Sequence, residues 1–193
     1  MKLKGRVVFC LLILVTANMF SQKDTIWFDA EWNLKPKDSA VYHRISEHKE
    51  VRFKDYYHFI DYDSLGVRLK KGVSLDKNSD VFEGEVIYYE EGAFVSERVL
   101  YRNGAPYGAH KIYYKSGKLK SLKSYVFGVL TGPSKSYYES GALLETGAYS
   151  DNTRNGEWKV YYPNRKLKEQ GMYRNDVRVG VWKVYYYNGT SQE

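Results

Sequence analysis

Cysteine is nearly missing from this chain: Cys10 is the single copy in 193 residues. It sits in an apolar run, residues 7–15, behind Lys2, Lys4 and Arg6 and ahead of the short polar stretch 16–21. That order of charge, apolar core and polar end predicts a secretory signal peptide cut between Ser21 and Gln22. The nine-residue core falls well short of the ~20 apolar residues that a membrane-spanning helix needs. Removal of residues 1–21 would take Cys10 with it. The mature chain then has no disulfide framework, no cysteine zinc site and no thiol nucleophile, although an exported protein has access to disulfides.

Recognisable catalytic patterns are missing too. The histidines His43, His48, His58 and His110 make no metal spacing. There is no Gly-x-Ser-x-Gly elbow, phosphate loop or dinucleotide fingerprint. Asp61-Tyr-Asp63-Ser-Leu-Gly66 resembles the start of a calcium loop, but Leu65 stands where an oxygen ligand belongs and Gly72 where the closing Glu belongs. Glu145 and Glu169 share a repeat position that Ser121 breaks, and exposed carboxylates on a rod have no pocket to tune them. Asn188-Gly-Thr190 matches a glycosylation acceptor, yet a turn recurs at that position. No enzyme, cofactor or metal is expected.

Tyrosine is abundant, and tyrosine and glycine are both periodic. Sixteen of the 20 tyrosines lie after residue 83. Gly84, Gly108, Gly132, Gly156 and Gly180 are each 24 residues apart. Tyrosine pairs at 88-89, 113-114, 137-138, 161-162 and 185-186 keep nearly the same beat, as do Tyr101, Tyr125, Tyr149 and Tyr173. Such a period marks an array rather than one globular core. Aromatic and glycine enrichment predicts an all-β chain, an open antiparallel meander of stacked 24-residue β-hairpins. A lone hairpin is marginal, so neighbouring units must cover each other.

Within a unit, an alternating run such as Trp158, Val160, Tyr162 should meet a two-residue turn (Ser116-Gly117, Ser140-Gly141, Asn164-Arg165 or Asn188-Gly189; the first is Glu91-Gly92). A second strand follows through Leu167 and Tyr173, and a loop ends at the next periodic glycine. Period-2 alternation sorts the columns into two faces. The core face should carry His110, Ser134, Trp158 and Trp182; Ile112, Ser136, Val160 and Val184; Tyr114, Tyr138, Tyr162 and Tyr186. Leu119, Leu143 and Leu167 should join it, with Gly147 and Gly171 leaving room for a neighbour's ring. The opposite face carries Lys111, Lys135, Lys159 and Lys183 beside Tyr113, Tyr137, Tyr161 and Tyr185, with Lys118, Lys120, Lys166 and Lys168 added by the second strand. This Lys/Tyr stripe is either a docking surface for an acidic or glycan-like partner or a solvated face whose lysines prevent aggregation.

The formal charge is +7, with three of those charges in the signal. The rest belongs mostly to residues 84–193 and is mild enough to serve solubility, so no nucleic-acid partner is expected. Residues 22–55 form a non-repeat segment with Trp27 and Trp32, read either as a cap over the array's apolar end or as an aromatic partner-binding motif. Residues 56–83 read as a degenerate first unit, with a small insertion near residues 76–80, and residues 84–189 as the regular array.

Gly156-Glu-Trp-Lys-Val-Tyr-Tyr-Pro-Asn and Gly180-Val-Trp-Lys-Val-Tyr-Tyr-Tyr-Asn-Gly resemble MORN-variant repeats. Trp is missing at His110 and Ser134, Gly is replaced by Arg165, and Lys123 stands where Gly147 and Gly171 do. The resemblance implies β-hairpin arrays used for protein or membrane-lipid contacts, and bacterial members are labelled antitoxin-like. The expectation is a non-catalytic, exported scaffold making protein contacts in the bacterial envelope, whether periplasmic, attached to the outer membrane or secreted. Two alternatives stand beside it: an antitoxin or immunity-type inhibitor of a toxin met outside the cytoplasm, and a module binding anionic lipid or glycan. The expected binding residues are the eight of the Lys/Tyr stripe with Trp27 and Trp32.

Overall fold

The computed structural model describes residues 23–91 and 94–192. The expected signal peptide lies outside these residues, as does Gly92 of the first regular turn. The N-terminal strands are β1 (Lys23–Phe28), β2 (Tyr42–Val51), β3 (Lys54–Asp63) and β4 (Arg68–Ser74). Next come β5 (Gly84–Glu90), β6 (Phe94–Arg102), β7 (Ala105–Tyr113), β8 (Leu119–Val126) and the two-residue β9 (Val129–Leu130). The last are β10 (Gly132–Tyr137), β11 (Leu143–Ser150), β12 (Thr153–Tyr161), β13 (Leu167–Arg174) and β14 (Val177–Val184). All fourteen belong to one sheet that follows chain order, with β9 a stub on β8 beside the β8–β10 pairing. Every pairing is antiparallel, as expected of a meander. The non-repeat segment is part of this sheet: β1 pairs with β2 and β2 with β3, around a 3-10 turn at Lys37–Ser39.

The turns alternate in kind along the array. The expected two-residue turns are instead three-residue loops, closed by Tyr114 N–H to Lys118 O and Gly117 N–H to Tyr114 O, both 2.8 Å. The same pair of bonds recurs at Tyr138/Ala142, Tyr162/Lys166 and Tyr186/Thr190. Their third residue has positive φ at Gly117 (80°), Gly141 (88°), Arg165 (68°) and Gly189 (90°), which is why glycine dominates there. Two-residue turns lie at the opposite end of the hairpins, at Asn103-Gly104, Phe127-Gly128, Asp151-Asn152 and Asn175-Asp176, with both residues at positive φ. That is the type I′ geometry matching strand twist, and Asn, Asp and Gly tolerate it best. The periodic glycine ends a loop only at Gly84 and Gly132, the first residues of β5 and β10; Gly108, Gly156 and Gly180 lie inside strands, and Gly156 does so at positive φ beside a register shift. The degenerate unit β3–β4 keeps the three-residue loop, with Gly66 at φ 78°. A bend-and-turn segment follows β4 where the insertion was expected.

Units are pinned to each other at both ends of the hairpins. The Tyr114, Tyr138 and Tyr162 hydroxyls donate to the carbonyls of Tyr137, Tyr161 and Tyr185, at 2.7, 2.8 and 2.9 Å. At the other end the N–H of Gly104, Gly128, Asn152 and Asp176 donates to the carbonyl of Phe82, Pro106, Leu130 and Arg154. Each second type I′ turn residue thus reaches the preceding unit.

The core face carries a row of directly opposed or contacting side chains that alternates large and small toward the C-terminal end. Gly147 separates Ser134 from Trp158, and Gly171 separates Trp158 from Trp182. A Cβ at either glycine would enter the next tryptophan ring. Trp158 is 1% exposed, and its indole N–H donates to Ala148 O at 3.2 Å. Nearer the N-terminus, Phe59 and Phe82 stack at 5.3 Å against Val86, and Gly72 makes room for the Val86 side chain.

One expectation about the faces is corrected. Each hairpin of the regular array from β5 to β13 has a register shift where its first strand ends, at 88/89, 112/113, 136/137 and 160/161. Beyond this bulge strict alternation fails, and Leu119, Leu143 and Leu167 oppose Tyr113, Tyr137 and Tyr161 rather than joining the tryptophans. Lys120 and Lys168, expected with the lysine stripe, instead hold their ammonium groups 5.7 and 5.9 Å from the Tyr114 and Tyr162 rings.

Candidate interaction face

Opposed residues of antiparallel strands share a face, so the register traces each row across the sheet. One row is unbroken: Ile45, Ile60, Lys71, Ile87, Arg98, Lys111, Leu122, Lys135, Thr146, Lys159, Gln170 and Lys183. The four expected lysines are thus collinear, one on every second strand, with a shorter polar or apolar residue between. A parallel row on the same face carries Tyr113, Tyr137, Tyr161 and Tyr185, with Leu119, Leu143 and Leu167 facing the first three. The core-face tyrosine hydroxyls hold the carbonyls of Tyr137, Tyr161 and Tyr185, so inter-unit bonds fix the backbone beneath these rings.

Charge is unevenly satisfied along the row. Lys159 pairs with Glu157 at 2.9 Å, and that hydrogen bond holds its ammonium above the usual lysine range. Arg98 pairs with Glu85 at 3.0 Å. Among the described residues, Lys111, Lys135 and Lys183 have no carboxylate within ion-pair distance. Among the described residues, this face has concavities on both sides of Glu85. One of about 490 Å³ is bordered by Arg98, Lys111 and Tyr113 with Phe94 and Val95. The other, about 390 Å³, contains Ile45, Ile60 and Ile87.

The two tryptophans part company. Trp27 opposes His43, whose ring stacks on Tyr62 at 5.2 Å, so Trp27 continues the tyrosine side of the lysine face. Trp32 lies among core-face residues, stacked on Tyr42 at 4.7 Å with the Lys70 ammonium 4.2 Å from its ring.

A buried ion network at that end gave no sequence signal. Arg44 is 1% exposed and grips Asp61 through Nε at 2.7 Å and Nη2 at 2.8 Å, with a further 2.6 Å bond to Asp80. Lys70 bonds the other oxygen of Asp80 at 2.5 Å. Burial works against the Arg44 charge, but the Asp61 and Asp80 carboxylates outweigh it and hold its pKa above the ordinary value. The phenols of Tyr88 and Tyr101 share a 2.8 Å hydrogen bond nearby; burial first, then that bond, pushes the Tyr88 pKa up, so it stays neutral. The carboxylates of the calcium-loop-like stretch are both engaged, Asp61 by Arg44 and Asp63 by the N–H groups of Leu65 and Val67. Each charge in the network has a partner, which makes it a structural clamp holding the 75–81 segment and the β2–β4 strands together.

Against this geometry, the family model for the MORN repeat variant matches residues 106–126, 130–151 and 154–175. Residues 106–175 carry three MORN-variant repeats. Each match starts just after a type I′ turn and covers one hairpin with its three-residue loop, so the MORN unit is β7–β8, then β10–β11, then β12–β13. MORN repeats are in general non-catalytic modules for contacts with proteins and membranes. No curated protein matches the chain. The β5–β6 hairpin outside the matched residues repeats the bulge of the MORN units at 88/89.

Proposed function

We propose that this MORN-repeat chain is a non-catalytic binding scaffold that works outside the cytoplasm, in the cell envelope, after loss of residues 1–21. Its lysine face docks an acidic protein surface. The observation that carries this reading is the straight row Lys111, Lys135, Lys159, Lys183, three of whose ammonium groups lack a carboxylate partner among the described residues. The lysines stand about 10 Å apart, close to a Debye length at ~0.1 M salt, so the row holds its charge without strong self-repulsion. Tyrosine supplies flat contact area at low entropic cost, and lysine supplies charge for steering.

The test replaces Lys111, Lys135, Lys159 and Lys183 together by Gln and measures retention of the protein on the cell-envelope fraction. Retention is expected to fall, with the difference from the native protein largest at low salt and shrinking as salt is raised. Unchanged retention by a folded variant sinks the docking assignment.

A further inference from the structure

Resting on that reading, we infer that the occupant of the lysine face is an extended protein segment in the polyproline II conformation, lying across the strands with an acidic residue at every third position. The period of the lysine row matches that of a polyproline II helix. Lys111 on β7, Lys135 on β10, Lys159 on β12 and Lys183 on β14 are each separated by one intervening strand. Strands stand about 4.8 Å apart, so the lysines recur about every 9.6 Å. A polyproline II helix rises about 3.1 Å per residue with three residues per turn, giving about 9.3 Å between like-facing side chains. Over the three intervals from Lys111 to Lys183 the mismatch is about 1 Å, which lysine's flexible stem absorbs.

Other regular partners fit worse. A β-strand returns to the same side after about 6.7 Å or about 13 Å, and neither suits the row. An α-helix presents like-facing residues at seven-residue steps of about 10.5 Å, and the error reaches about 2.7 Å by the third interval. The second row favours the same ligand. Tyr113, Tyr137, Tyr161 and Tyr185 repeat at the lysine period, two residues along the same strands, and Leu119, Leu143 and Leu167 fill the gaps. Aromatic-lined surfaces of this kind receive proline rings, and the polyproline II backbone is already extended before binding. Acid at one position of each triplet would meet the lysines while proline at the next lies on the tyrosines. At Lys159 the ligand competes with Glu157, so Lys111, Lys135 and Lys183 carry most of the charge recognition.

The test uses the full-length protein and three labelled peptides in fluorescence anisotropy at low salt. The first is four repeats of Glu-Pro-Pro, and the second has the same composition with its glutamates paired so that the three-residue period is lost. The third is an α-helical peptide with Glu at every seventh position. The periodic peptide is expected to bind at least tenfold more tightly than the scrambled one, and K111Q/K135Q/K183Q is expected to abolish that margin. Equal binding of the two proline peptides, lost in the lysine variant, overturns the period match and leaves the docking face standing. Tighter binding of the helical peptide overturns the polyproline II form in the same way. Peptide binding indifferent to the lysines overturns both. Phosphatidylglycerol vesicles that bind through these lysines, where no peptide does, replace the protein segment by a membrane.

Discussion

Trp158 and Ser134 occupy the same repeat column and both are buried, at 1% and 3% exposure, although their side chains differ several-fold in volume. The neighbouring strands account for the difference. Trp158 lies between Gly147 and Gly171, whereas Ser134 lies between Gly147 and the strand carrying Lys123. Tryptophan and glycine therefore occur as a pair, and the departures at Ser134 and Lys123 are one packing change. Gly147→Ala would push a methyl into the Trp158 ring and should cost about 1–3 kcal/mol by overpacking. Urea denaturation checks this. In a Trp158→Ser background the same change should cost at least ~1 kcal/mol less, since residues in contact couple. Additive costs would contradict the pairing.

The MORN hairpin as an element is defined by its turns and its bulge. Three of the four described regular loops end in glycine at positive φ, and Arg165 holds the same conformation at 68° against its Cβ. Arg165→Gly should raise stability by about 0.5–1 kcal/mol, because the left-handed region costs L-residues and spares glycine. The expected reading is a higher urea midpoint at unchanged slope; a lower midpoint would mean that the arginine side chain makes a contact that outweighs the strain. The bulge at 112/113, 136/137 and 160/161 also decides which face receives leucine and which receives Lys120 and Lys168. One extra residue reverses alternation from that point on. Sequence parity, lacking any mark for the bulge, assigned both the wrong way.

Across the whole molecule, stability is a chain of neighbour contacts with a different device at the N-terminal end. There the buried Arg44, Asp61 and Lys70 pair with one another and with the more exposed Asp80, against the rings of Phe28, Phe59 and Phe82. Asp61→Asn leaves Arg44 without its bidentate partner and should cost about 3–5 kcal/mol locally. In an array each unit feels mainly its neighbours, so hydrogen exchange should speed up in β2–β4 while amides of β12 and β13 keep their protection. Uniform loss of protection would instead mean that the sheet unfolds as one unit. The same continuity builds the lysine row, which uses residues from many strands and exists as a surface only when all registers are set.

The 24-residue period determined the meander, the unit and the collinearity of the four lysines, since any column of an array must repeat in space as it does in sequence. Gly147 and Gly171 were also legible as room for a ring, because a strand interior loses packing by having glycine and needs a neighbour to fill the space. Tertiary structure alone decided the rest. Type I′ turns could be told from three-residue loops only once the hydrogen-bonded pairs were known, and the bulges that send leucine to the lysine face carry no residue signature. Arg98 and Ile87 joined the row through strand register, and Trp32, in the bend between β1 and β2, turned onto the core face. Arg44 and Asp61 are 17 residues apart and Arg44 and Asp80 are 36 apart, outside any period. Only the folded sheet brings those charges into contact, and the burial of Arg44 and Asp61 makes their pairing obligatory.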